Sequence, residues 1–462
     1  MSELREWFCK GETKSLEFRK TQLNRIKDML AENEEKICEA LWKDLKRCKT
    51  DAMTFEVTYT MNEVKTAIKE ISSWSSKQKV SKNLIQLLDG AYIQKEPLGV
   101  VLIIGPWNYP VQLMLCPLIG AVAAGNCVVL KPSEIAQSTS NLIAELIPRY
   151  LDQKSVRVVT GGVQETTELL KQRFDHIFYT GNPTVAKIVM RAAAEFLTPV
   201  TLELGGKCPA IVDSGVDTGV AAKRLAWGKF VNCGQTCVAP DYVLCVGVEQ
   251  KNALIEQLKR TLLEFYGENS QESGDYGRII NENHFGRLMK LLDETKGKIV
   301  AGGQNDKSDL FIGPSVVDEV DAADVIMQDE IFGPILPVLV VEDFSSALSF
   351  VSSREKPLAM YVFSSTHSNI ETAVQQTSSG ALTVNDCLMH MTLDTLPFGG
   401  VGESGMGRYH GKFTFDTFTH EKAVLHRPLS GEKLLWMRYP PFDDRKNYWA
   451  GVAATKRRVP FL

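Results

Sequence analysis

The stretch PLGVVLIIGPWNYPVQLMLCPLIGAVAAGNCVVL, residues 97–130, contains no charged side chain, and its reading decides the fold. Its length and apolarity suit a membrane span, but Pro106, Asn108, Pro110, Gln112, Pro117, Gly120 and Asn126 interrupt it. Lipid offers no partner for the polar groups such residues leave open, so the better reading is a buried strand over 100–104, a helix over 112–124 and a strand over 127–130. Continuous apolar runs are how parallel strands covered on both faces appear. Downstream the alternation continues, with helix over 135–150, strand over 156–159, helix over 166–171, strand over 176–180, helix over 183–195 and strand over 200–204. Five strands separated by four helices predict right-handed crossovers and a parallel, doubly wound α/β sheet. Ligands of such sheets sit past the carboxyl ends of the strands, where this chain has Asn108, Lys131, Glu134, Gly181 and Glu203.

A second α/β alternation follows Gly206, with strands expected over 210–212, 242–246, 299–301, 335–341, 360–363 and 381–384 and helices over 218–230 and 251–266. Upstream, Ile26, Met29, Leu30 and Ile37 show the helical spacing of packing helices within 16–67. Residues 90–96 read as an exposed strand and 415–425 as another. The chain therefore divides into a doubly wound domain (1–78 and 99–205), a second α/β domain (206–410) and a small β arm with the tail (79–98 and 411–462).

At 462 residues the chain exceeds what one core supports, and its 44% apolar and 23% charged residues are those of a soluble globular protein. A net charge of -4 with scattered Lys and Arg gives no basic surface and excludes nucleic acid as a ligand. Ten cysteines are too sparse for a disulfide scaffold, and Met1-Ser2-Glu3-Leu4-Arg5 is no secretory signal, so reduced thiols in the cytoplasm are expected. No metal site is expected. Cys233 and Cys237 form a lone C-x3-C, and the seven histidines include no H-E-x-x-H.

The candidate nucleophile is Cys237, in Asn232-Cys233-Gly234-Gln235-Thr236-Cys237-Val238-Ala239-Pro240. A free cysteine is more often an inert buried residue, because reactivity needs access and a lowered pKa. Glu203 ends an apolar strand directly before Gly205-Gly206. Burial there resists ionisation and suits a general base, with a salt-bridged structural glutamate as the alternative. Tyr179-Thr180-Gly181-Asn182-Pro183-Thr184 places an N-cap and a first-turn proline at a strand end. That is an anion site or simply a well-capped helix. Lys131 and Glu134 could bond a ribose or belong to a charged surface loop. Gly400-Val401-Gly402-Glu403-Ser404-Gly405 matches G-x-G-x-x-G but neither follows a clear strand nor opens an apolar helix, so it is not read as a dinucleotide fingerprint.

Together the motifs Pro106-Trp107-Asn108-Tyr109-Pro110, Lys131-Pro132-Ser133-Glu134, Phe178-Tyr179-Thr180-Gly181, Leu202-Glu203-Leu204-Gly205-Gly206-Lys207, Gly234-Gln235-Thr236-Cys237, Glu330-Ile331-Phe332-Gly333-Pro334 and Pro397-Phe398-Gly399-Gly400 resemble the aldehyde dehydrogenase superfamily, most closely its class 3 branch. They run in family order over about 90–425. The resemblance implies NAD or NADP as cofactor, bound by the first domain. It implies Cys237 as nucleophile, Asn108 and the Cys237 N–H as oxyanion donors, and Glu203 as base for the hydrolytic water. It also implies ribose contacts from Lys131 and Glu134, a pyrophosphate turn at Thr180 and Gly181, a nicotinamide-ribose carboxylate in Glu330, and Phe332 beside the nicotinamide. Tyr109, Met114 and Trp227 are expected near an apolar or aromatic aldehyde substrate, and the arm is expected to join a homodimer.

Two residues depart from the family pattern, Ala186 for glycine and Pro183 for alanine, both on the first turns of the helix facing the cofactor. The cluster Lys456-Arg457-Arg458 gives at most a weak, peripheral attraction to an anionic membrane. The alternatives to an oxidoreductase are a cofactor-independent thiol esterase and a structural protein retired from catalysis. Against the second, Asn108, Glu203, Cys237 and Glu330 are all in place.

Overall fold

The computed structural model describes residues 1–83, 86, 88–454 and 458–459. Its first sheet contains the five expected strands, Val100–Ile104, Cys127–Lys131, Val156–Val158, His176–Thr180 and Val200–Glu203, all parallel. In space the fifth strand lies beside the fourth, then come the first, second and third. The order reverses between the first and fourth strands, which opens a crevice where the Asn108 and Gly181 loops leave the sheet. Helix Gln112–Ala124, which crosses from the first strand to the second, is buried along its whole length. It therefore shows no polar stripe. Helices Leu16–Glu32 and Tyr59–Trp74 cover it, and Gly120 admits Thr414 so closely that a Cβ would stand 2.2 Å from Thr414 Cγ2.

A sixth strand was not foreseen. Gly405–Met406 pairs antiparallel with Leu202 and Glu203 at the sheet edge. The glycine run before it is a tight turn in which Ser404 Oγ accepts from Val401 N–H at 2.9 Å and a Cβ on Gly400 would lie 2.0 Å from Ser404 O. The G-x-G-x-x-G spacing is thus the geometry of an edge turn.

The second sheet has seven strands, in the order Lys298–Ala301, Ser315–Asp318, Ile335–Val341, Tyr242–Val246, Pro209–Val212, Ala359–Phe363 and Ala381–Val384. All neighbours run parallel except the first pair. Strand Ser315–Asp318 and helices Glu282–Glu294, Phe344–Ser352 and His367–Gln376 escaped the sequence reading.

The expected strand over 415–425 needs correction. Residues Gly411–Thr417 form a helix, and the strand is Thr419–His426. Gly411, Thr414, Phe415 and Phe418 follow helical spacing and are all buried, with Phe415 against Trp74 at 5.6 Å between centroids, so packing outweighs aromatic strand propensity. The strand pairs antiparallel along all of Gly90–Pro97, which has Gln78–Lys79 on its other side. The 90–96 strand, expected to be exposed, is half-buried beyond Gly90. Lys456 and Arg457 of the basic cluster lie outside the described residues.

The edge turn makes a prediction. Gly405 has φ +139° and a Cβ there would meet Leu202 O at 2.1 Å, whereas Gly215 at φ +74° has nothing within 4 Å. Gly215→Ala should lose about 1 kcal/mol of unfolding free energy and Gly405→Ala about 2–3 kcal/mol or more in denaturant titrations. Equal losses would show that the close approach to Leu202 is not what holds the edge.

Candidate active site

Two loops from different sheets meet at the site. The first leaves strand Val100–Ile104 and carries Asn108, which is buried. Its side-chain Nδ2 donates to Gln235 O at 3.0 Å, and its main-chain carbonyl accepts from Asn232 Nδ2 at 3.0 Å and from Arg47. An amide Nδ2 has two hydrogens, so one remains for another acceptor. Tyr109 adds a hydroxyl contact to Thr236 Oγ1 at 2.8 Å.

The second loop follows helix Thr218–Phe230 and turns sharply. Asn232, Cys233 and Gly234 have φ of 53°, 53° and 70°, three consecutive left-handed residues. Asparagine tolerates that conformation, while a cysteine there costs about 1–2 kcal/mol. Gly234 is obligatory, because a Cβ would lie 2.3 Å from Gly333 O. The fully buried Gln235 locks the turn: Nε2 donates to Asn232 O and Arg278 O, each at 3.0 Å, and Oε1 accepts from Ile280 N–H at 3.0 Å. Cys237 emerges from this fixed base half-buried, its carbonyl accepting from the Cys208 thiol at 3.4 Å. Cys233, four residues earlier, is buried beside Tyr276 and Gly277 as a packing residue.

The electrostatics are dominated by burial. Glu203 is 3% exposed and among the described residues neither carboxylate oxygen has a hydrogen-bond partner; burial holds its carboxyl well above the usual carboxylate range. Glu330 stands over Gly205, where a Cβ would lie 2.1 Å from Oε2. Burial, then the charge of Asp241, push Glu330 up to about 8. The Cys237 thiol is pushed up to about 12, first by burial and then by Glu330 and Glu203. Asp241 pairs with Lys207 at 2.7 Å and with Lys229 at 3.6 Å. Sequence reasoning missed Lys229 and Asp241. Lys229 does carry a signal, since it shares an apolar stripe with Leu225, Ala226 and Phe230, where a lysine must have a buried purpose.

At the neighbouring strand ends, Lys131 is buried and its Nζ donates to Pro132 O at 2.8 Å and Glu134 Oε2 at 3.0 Å. This pair lies one strand away from Asn108, on the far side from Glu203. Thr180 is buried with Oγ1 unpartnered. Gly181 donates its N–H to Glu203 O at 3.0 Å and admits the Tyr179 hydroxyl where a Cβ would be 2.2 Å away. Asn182 Oδ1 caps helix Pro183–Ala194 through Val185 N–H. Phe332, at φ 48°, presents its ring to Trp107 at 5.3 Å. Of the Thr180, Gly181 and Val185 donors the Thr180 hydroxyl alone is left with a hydrogen to donate, while the Gly181 and Val185 N–H groups are already bonded within the turn.

Cys237 opens onto a cavity walled by Tyr109, Gln112, Leu113, Met391, Phe398 and Tyr409. Tyr109 is where the sequence put it, but Met114 is fully buried beneath Gly105 and Trp227 packs on Phe55. His410 and Met391, far along the chain, supply wall that local spacing could not reveal.

Known proteins resemble this chain along nearly its whole length. Residues 5–424 match the model of the aldehyde dehydrogenase family. Mouse aldehyde dehydrogenase family 3 member A2 is 50% identical over 448 residues, 97% of this chain and 92% of its own. Human aldehyde dehydrogenase family 3 member B1 is 50% identical over 446 residues, covering 96% and 95%. The substrate-bound structure of Staphylococcus aureus AldH superposes with a TM-score of 0.95 at 43% identity, covering 98% of both chains.

The charge arrangement predicts how Cys237 reacts. Below about pH 8 Glu330 holds its proton and adds no charge; above it the carboxylate opposes thiolate formation. Alkylation of Cys237 by iodoacetamide, followed by peptide mass spectrometry, should therefore proceed at similar rates in wild type and Glu330→Gln below pH 8. Above it, Glu330→Gln should become several-fold faster. A rate ratio unchanged from pH 6 to pH 10 would show that Glu330 does not act on the thiol.

Proposed function

The chain belongs to the aldehyde dehydrogenase family, and we propose that it oxidises aldehydes to carboxylic acids with NAD or NADP as oxidant. The observation that carries this reading is Glu203, a buried carboxyl without a hydrogen-bond partner whose charge reaches Cys237. An orphaned carboxyl is too costly to be a packing device, and a water that must lose its proton gives it a use.

In this reading the Cys237 sulfur adds to the aldehyde carbon and the carbonyl oxygen gains negative charge. The Asn108 amide and the Cys237 main-chain N–H face that oxygen, and fixed donors on a forming oxyanion are among the largest contributions an enzyme makes. A bound dinucleotide would supply the hydride acceptor, and an adduct that has lost hydride leaves Cys237 acylated as a thioester. Thr180, Gly181, Lys131, Glu134, Glu330 and Phe332 are the residues that would hold it. Glu203 then takes a proton from the water that attacks the thioester carbon, which releases the acid and restores the thiol. A carboxyl raised by burial is a stronger base once ionised, so turnover rises with pH as Glu203 loses its proton. The apolar and aromatic cavity wall favours medium or long aliphatic and aromatic aldehydes.

The same reading makes the arm a homodimer contact, since among the described residues strand Thr419–His426 is the last of its sheet and pairs on one side only. No helix of the described residues is long and apolar enough to cross a membrane; the reading of a peripheral membrane contact rests on the basic cluster Lys456-Arg457-Arg458. Cytoplasmic residence rests on cysteine usage alone.

The test is NADH absorbance after mixing the protein with NAD and a medium-chain aldehyde. Wild type should turn over and Cys237→Ala should give no NADH. Glu203→Gln should give a stoichiometric burst followed by turnover slowed about 10²-fold or more, because hydride transfer precedes the step Glu203 serves. Ester hydrolysis independent of nucleotide, with no NADH from any aldehyde, would sink the reading. A missing burst in Glu203→Gln would move Glu203 to the earlier, thiol-deprotonating step.

A further inference from the structure

Arg47 and Glu56 lie in the amino-terminal helical region, to which the sequence assigned no chemistry. Their side chains are 2% and 0% exposed and form an ion pair. An ion pair so deeply buried gives little net stability over an apolar pair, so its hydrogen bonds matter more than its Coulomb energy. Glu56 Oε1 meets Arg47 Nη1, and Oε2 accepts from Val111 N–H at 3.0 Å and Gln112 N–H at 2.8 Å, at the start of helix Gln112–Ala124. The other arm of Arg47, Nη2, donates to the main-chain carbonyl of Asn108, and the guanidinium lies 4.4 Å from the Tyr109 ring centroid. One ion pair thus grips both ends of the segment 108–112.

The backbone at Glu56 is built for this. Ala52–Thr58 is a π-helix, and Phe55, Glu56 and Val57 are all buried in succession. A regular helix turns 100° per residue and would swing one of three consecutive side chains away from a shared interior face. The widened turn, a feature frequent at functional sites, lets Glu56 face the segment while Phe55 packs on Tyr109.

We propose that Arg47 and Glu56 are positioning residues for the reaction: they fix the segment 108–112 so that the Asn108 amide stands against the Cys237 loop where the oxyanion forms. The inference rests on the reading of Asn108 as an oxyanion donor. The Asn108 carbonyl is the junction. It accepts from Arg47 on one side and Asn232 on the other, while the Asn108 side chain reaches Gln235, two residues before Cys237. An apolar pair in place of Arg47 and Glu56 could fill the volume. It would leave two amides without their acceptor and free the junction to shift.

A double-mutant cycle tests this. Arg47→Met should lower kcat/KM for a medium-chain aldehyde about 10- to 100-fold, as small misplacements of a catalytic group do. NAD affinity, read by protein fluorescence, should stay within about twofold of wild type. Asn108→Ala should lower kcat/KM about 10²- to 10³-fold. The double variant should be no slower than Asn108→Ala alone, because the amide to be positioned is gone. Arg47→Lys keeps the charge for Glu56 but not the two-armed fork, and should fall between wild type and Arg47→Met. If Arg47→Met does not fold, the cycle is run with Arg47→Lys. Losses that multiply in the double variant would overturn the positioning role while leaving Asn108 as donor. An Asn108→Ala variant with wild-type kcat/KM would overturn the Asn108 reading itself, and the positioning role with it.

Discussion

Two hydrogen bonds hold the site in existence: Asn108 Nδ2 to the carbonyl of Gln235, and Asn232 Nδ2 to the carbonyl of Asn108. Each joins a loop of the first sheet to the loop that carries Cys237 on the second. Asn108 comes from the first sheet and Cys237 from the second, so their meeting depends on this reciprocal exchange between side-chain amide and main chain. Both residues are buried, where such bonds are not contested by water and where leaving one unmade costs about 1–3 kcal/mol. The left-handed turn at 232–234 exists to present Asn232 to its partner, and Gly234 is small because the Gly333 carbonyl needs its place.

Three carboxyl groups, Glu203, Glu330 and Asp241, bear on this site, and among the described residues only Asp241 of the three forms ion pairs. Glu203 has no partner, Glu330 is raised, and Asp241 is the carboxylate that Lys207 and Lys229 answer. A protein selected for stability alone would replace these groups with apolar ones. Burial makes both the Glu203 carboxyl and the Cys237 thiol resist ionisation.

Much of this was legible in the sequence where local chemistry and global position coincide. The uncharged run 97–130 gave strand, helix and strand because full burial leaves no polar stripe. Glu203 stood out because a carboxylate closing an apolar strand has few explanations. What stayed hidden depends on groups distant in sequence. The π-helix at 52–58 has no turn residue to betray it, and Glu56 becomes meaningful only once the helix beginning at Gln112 packs over it. The strand expected over 415–425 failed in its first residues for the same reason, since Phe415 against Trp74 and Thr414 against Gly120 belong to the helix Gly411–Thr417. His410 and Met391 enter the cavity wall through the same long-range packing.

The short strand Gly405–Met406 carries a consequence for biosynthesis. It covers the outer edge of Val200–Glu203, yet it lies about two hundred residues later in the chain. A nascent polypeptide that has left the ribosome only as far as Gly206 can assemble five parallel strands, with the Glu203 strand exposed along one side. Unpaired edges of that kind invite association with other chains. The strand that bears Glu203 is therefore the last of the sheet to be sealed, and the hazard persists until the carboxy-terminal third of the protein has been made.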